Sequence, residues 1–174
     1  MASIINGSSP TVTFSDGTTQ ATSAIVSGYV PYANLPTGSV LQVVSANYST
    51  SVTSTSSTPV TTGLTASITP KFSTSKILVM ISAVAGANAG TGACAESFQL
   101  FRGASSVATF ANAIYLDASV ITPNSTIPLI YLDSPATTSA TTYTLYYYIG
   151  AAGTRVYLNL YTASQSTITL MEVA

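Results

Sequence analysis

Six side chains come first for acid, base or nucleophile chemistry: the carboxylates Asp16, Glu96, Asp117, Asp133 and Glu172, and the thiol of Cys94. The chain has no histidine, so Ser–His and Cys–His pairs and the common zinc sites cannot be assembled. Two carboxylates suffice for glycoside hydrolysis, and Asp117 with Asp133 is the pair that would be tested first. The local sequence argues against it. Asp16 sits in an Asp-Gly turn, and Asp133 opens "DSPATT", where Asp bonds nearby backbone groups. Glu96 and Glu172 fall on strand-like runs, where Arg102 or Arg155 could pair with them. Cys94 has no base to activate it and reads as a buried, inert thiol. No phosphate-cradling loop is present, because the glycine-rich texture of 86–94 lacks the required lysine. The expectation is a protein that is not an enzyme, with no catalytic, cofactor or metal residues.

The elements that must position these groups are strands. Only 5% of residues are charged while 47% are hydrophobic, and Ser and Thr supply about thirty per cent. Thr, Val, Ile and Tyr suit a pleated surface, whereas Ser and Thr compete with helical hydrogen bonds. Residues 1–38 are broken by Gly7, Gly17, Gly28 and Gly38 and by prolines at 10, 31 and 36, and read as an extended arm. From residue 39 onward the pattern predicts strands at 40–48, 60–69, 76–85, 94–102, 106–116, 126–132, 141–149, 154–161 and 166–173. Short strands at this spacing point to an all-β antiparallel jelly-roll sandwich.

Alternation separates wet faces from dry ones. In 154–161, Val156, Leu158 and Leu160 point one way and Arg155, Tyr157, Asn159 and Tyr161 the other. Two strands are apolar on both sides. In "KILVMIS", Ile77, Val79 and Ile81 oppose Leu78 and Met80; in "TLYYYIG", Leu145, Tyr147 and Ile149 oppose Tyr146 and Tyr148. Such strands need cover on both faces, from subunits of the same kind or from long loops folded over them. The first reading makes Leu78, Met80, Tyr146 and Tyr148 subunit-interface residues. A formal net charge of −1 offers little self-repulsion against association.

Partners of other kinds are constrained by what is missing. Lys71, Lys76, Arg102 and Arg155 are scattered, which gives no footprint for nucleic acid. The apolar run "ILVMISAVAGA" at 77–87 is well short of the roughly 20 residues of a spanning helix, so no membrane insertion is expected. No basic segment follows Met1, and no signal peptide is expected. Tyr157 and Tyr161 are candidates for sugar contacts.

Three pieces in order, "VLQVVSA", "TGLTASITPKFSTSKILVM" and "STITLME", resemble a domain found at the ends of bacteriophage structural proteins. The opening "VTFSDGTTQATSA" is similar to an F-x-DGTTQ element that precedes this domain in tail-fibre-like proteins. The resemblance covers 38–86 and 131–174 and leaves 87–130 variable. It implies a virion surface protein, a homotrimer of jelly rolls made in the host cytoplasm. Residues 1–38 would then be an anchoring arm held by a phage capsid or tail protein through Ile4, Ile5, Val12, Phe14, Asp16 and Gly17, with 39–174 as the head. Because only about 38 residues precede the domain, the expectation favours a capsid decoration protein. The alternative is a tail fibre or fibre tip that recognises a host-surface receptor such as a glycan through 87–130.

Overall fold

The computed structural model describes residues 11–13, 15–21, 31–90, 92–117, 121–151, 153–161 and 163–174. The chain divides into two compact units, residues 1–39 with Ala174, and residues 40–173.

In the first unit, β1 (Thr11–Thr13) and β2 (Thr19–Ala21) form an antiparallel hairpin with Val12 opposite Gln20. The turn between them follows from two residues. Asp16 Oδ1 accepts from the Thr18 amide at 2.9 Å and from the Thr18 hydroxyl at 2.6 Å. Gly17 takes φ +84°, a conformation that costs a residue without Cβ nothing. Those hydrogen bonds hold the Asp16 carboxyl below its usual range. Ile4, Ile5, Phe14 and the side chain of Val12 lie outside the described residues. A 3-10 turn spans Tyr32–Asn34.

The second unit contains β3 (Val40–Tyr48), β4 (Val52–Ser54), β5 (Val60–Ile68), β6 (Lys76–Asn88), β7 (Cys94–Arg102), β8 (Ser105–Leu116), β9 (Ile121–Asp133), β10 (Thr141–Ala151), β11 (Arg155–Leu158) and β12 (Ser166–Val173). One sheet runs β5-β10-β7-β8 and the other β3-β12-β6-β11-β4, with β9 also on β6. β9 takes one edge of β6 from Ile77 to Asn88. The opposite edge is shared, first by β12 against Lys76–Ser82 and then by β11 against Ala85–Asn88. Without β4 and β11 the orders are β3-β12-β6-β9 and β5-β10-β7-β8, all pairs antiparallel. This is the double-sheet jelly roll.

Period-two patterning builds the core. Leu64, Ala66 and Ile68 of β5, Tyr143, Leu145, Tyr147 and Ile149 of β10, and Ile168 and Leu170 of β12 all point inward. Inward bulk on β6 falls from Ile77, Val79 and Ile81 to Ala83, Ala85 and Ala87, while the facing sheet carries the large rings Phe98, Tyr143 and Tyr147. Gly63 on β5 has φ +87°, and a Cβ there would come within 2.7 Å of the Tyr48 ring. Glycine lets that ring pack on the backbone.

Three buried polar knots correct the sequence expectations. Asp133 does not cap a loop: it ends β9, is 5% exposed, and accepts from Arg102 Nη1 at 2.7 Å and from the Tyr143 hydroxyl at 2.6 Å. It thereby ties one sheet to the other. Glu172 pairs with neither arginine. Its carboxylate accepts from Gln42 Nε2 at 2.6 Å and from the backbone amides of Lys71 at 2.6 Å and Phe72 at 3.4 Å, fixing the β5–β6 connection to β12. Asn159 ends β11 short of the expected 161. At φ +53°, a region Asn tolerates, its Nδ2 donates to Tyr48 O at 2.8 Å and its Oδ1 accepts from Ser166 Oγ at 2.8 Å. Ser166 Oγ in turn accepts from the Val84 amide at 2.9 Å. Tyr157 and Asn159, expected on a wet face, are therefore buried.

Candidate interaction surfaces

The sandwich separates the carboxylates. Asp117 follows the end of β8 that pairs with Cys94, whereas Asp133 binds Arg102 at the far end of β7. Nine residues of strand put them roughly 27 Å apart at about 3.4 Å per residue, well beyond the ~5–9.5 Å of a glycosidase pair. Asp133 and Glu172 flank Ile77 on β9 and β12, but both are committed to the knots above. Cys94 is buried, and burial raises its thiol pKa. Among the described residues no three His, Cys, Asp or Glu side chains cluster as a metal site would need.

What the fold presents instead is two broad outer faces of different chemistry. On the sheet containing β6, successive rungs cross four strands. One rung reads Val43, Met171, Leu78, Leu132, and the next Ser45, Thr169, Met80, Ile130. Val40 and Val173 continue the face beside Lys76, its charged limit. Six large hydrophobic residues are strongly exposed among the described residues, and four of them sit here: Ile130 at 63%, Val43 at 53%, Val40 at 50% and Leu132 at 49%. Scattered exposed hydrophobics are ordinary, but a contiguous apolar patch marks a contact surface.

The outer face of β5-β10-β7-β8 is built from hydroxyls and rings. Its rungs read Thr65, Thr144, Phe101, Ser106 and then Thr61, Tyr146, Gln99, Thr109. Facing hydroxyls bond across strands, Ser67 to Thr142 at 2.7 Å and Thr65 to Thr144 at 3.0 Å. Phe101 and Tyr146 stack at a 4.1 Å centroid separation with planes tilted by 33°. Tyr148 continues the face beside Ser97. The two charged residues of these four strands, Glu96 and Arg102, alternate with the outward set and point to the interior or its rim.

The four interface residues expected from sequence thus fall on two surfaces. Leu78 and Met80 lie on the aliphatic face, and Tyr146 and Tyr148 on the ringed one. All four are half-buried within one chain. Val43, Met171, Ile130 and Leu132 were missed, although "LIYL" in β9 is apolar on both sides just as "KILVMIS" is. Of the two tyrosines considered for sugar contacts, Tyr157 is buried with its hydroxyl donating to Ala87 O at 2.9 Å, and Tyr161 is 54% exposed.

No family model matches the chain, and no curated protein matches it. Among solved structures it is similar to the crystal structure of an infectious bursal disease virus VP2 subviral particle, with a TM-score of 0.44 and 14% identity. That match covers 76% of this chain and 32% of the other.

Proposed function

We propose that this chain is a non-enzymatic structural protein of a bacteriophage virion, a homotrimer that decorates the capsid and docks through residues 1–38. The observation that carries the reading is the aliphatic face. The three stretches that resemble phage structural proteins are β3, the β5–β6 segment and β12. As adjacent strands β3, β12 and β6 they supply Val43, Met171, Leu78 and Met80 to one surface. Burying the exposed part of each such side chain contributes roughly 1 kcal/mol, and a net charge of −1 does little to oppose contact between copies. Several arms on one particle would gain attachment by avidity rather than from a single strong site.

Counting copies per virion by quantitative mass spectrometry tests the placement. Decoration predicts a number on the scale of the capsid lattice, and a handful of copies refutes it. Deleting residues 1–24 should leave a folded oligomer that no longer attaches to virions. A second reading, a tail-fibre tip binding a host-surface glycan, is favoured by the ringed, charge-free outer face of β5-β10-β7-β8. It predicts that purified protein blocks infection, and that Tyr148→Ser weakens the block.

A further inference from the structure

Glu96 belongs to none of the three polar knots and to neither outer face. It points from β7 into the sandwich interior, is 0% exposed, and neither carboxyl oxygen has a hydrogen-bond partner. Ile114 on β8 and Ile149 on β10 sit directly opposite it in the two ladders. Across the interior the Gly86 amide on β6 faces it and partly offsets its burial, without closing a hydrogen bond of normal geometry. Gly86 lies where the β6–β9 register shifts between Ala85 and Ala87. The titratable groups around Glu96 are Cys94 on its own strand, Tyr147 on β10 and Tyr157 on β11. Each is an acid that is neutral when protonated, so none brings positive charge. Arg155 acts on Tyr157.

We infer that Glu96 is a proton-dependent lock on the part of the sandwich where β7, the β6 bulge and β11 meet: closed while the carboxyl is protonated, opened to water when it ionises. A buried carboxylate without partners costs several kcal/mol, and such a group stays neutral instead. Burial accordingly raises the Glu96 pKa well above the usual carboxylate range. In the unfolded chain the same group ionises near the ordinary value of about 4.3. The folded state therefore holds a proton that the unfolded state has lost. Stability from this group is fully present below the unfolded pKa and declines as pH rises toward the folded one. With no histidine in the chain, no other side-chain type ordinarily titrates between pH 5 and 8. That window reports on Glu96 almost alone.

The test is denaturant unfolding of the full chain at intervals from pH 5 to pH 9, for wild type and Glu96→Gln. Wild-type stability should fall across the range, and Glu96→Gln should flatten that fall and exceed wild type at its alkaline end. Hydrogen exchange in wild type should accelerate with pH at β7 and the β6 bulge beyond its intrinsic base dependence. Parallel pH profiles for the two proteins overturn the inference. Should Glu96→Gln not fold, infrared spectroscopy of wild type decides the matter. A protonated-carboxyl band that persists at pH 7 and disappears on alkalinisation supports the lock, and its absence at pH 7 overturns it.

Discussion

The two outer faces are built on the same period-two logic yet present opposite chemistry. On the sheet of β3, β12, β6 and β9 the outward residues are mainly branched and thioether side chains that cannot hydrogen-bond, interrupted by the Ser45–Thr169 hydroxyl pair at 3.1 Å. On the sheet of β5, β10, β7 and β8 they are hydroxyls already paired with one another, around the Phe101–Tyr146 stack. The first gains only by leaving water, while the second is content to stay wet. The faces also look away from each other, because sheets in an aligned sandwich stack back to back. If both bound further copies head to tail, an open stack would grow in place of a closed ring. The homotrimer proposed above would instead need the aliphatic face set against a different, inclined surface, with the ringed face left free.

Substitutions on either face, or at the tie between the sheets, test this contrast. The largest effect is expected from Ile130→Lys combined with Leu132→Lys. Losing roughly 1 kcal/mol of burial per side chain, plus the cost of two desolvated ammonium groups, should weaken association about a hundredfold or more. Sedimentation would then show a 17.8 kDa species. An unchanged assembly would remove the aliphatic face from consideration. Asp133→Ala should act on both faces at once, because it cuts the tie between the sheets. About 3 kcal/mol is expected in denaturant unfolding, the low end for breaking a buried pair, since Arg102 keeps 32% of its side chain exposed. Asn159→Ala should cost about 1–3 kcal/mol by leaving buried groups unpaired, and should loosen only the sheet that carries the aliphatic face. Hydrogen exchange can localise that loss. Tyr146→Ala comes last, removing a ring pair worth about 0.5–1.5 kcal/mol with no change in oligomeric mass.

Much of the fold is legible in the sequence, because Ser/Thr punctuation and alternating apolar residues bound each strand. β3, β7 and β12 occupy the predicted spans, and β5 and β10 nearly so. The errors lie where side-chain size or polarity misleads. β6 runs on to Asn88 through "AVAGAN", since alanine gives a weak strand signal yet fits a core filled by large rings. β4 is three residues of Ser, Thr and Val, too short for a periodicity to register. From sequence Asp133 resembles a loop residue and Asn159 a wet-face strand residue, and only the three-dimensional arrangement brings Arg102 and Tyr143 to the first and Tyr48 and Ser166 to the second. The aliphatic face was half legible. Leu78 and Met80 declare themselves within one strand, but their neighbours come from β3, β9 and β12, which are distant in sequence.

One feature of the β6 sheet bears on how the molecule is made. β12 sits between β3 and β6 and is synthesised after both of them. Until it arrives, two earlier strands each hold an open row of amides and carbonyls, an invitation to pair with a stranger. Closure also joins residues more than a hundred positions apart, which makes the final step slow. Nascent or truncated chains should accordingly depend on chaperones, and expression yield should fall when synthesis stalls before β12 emerges.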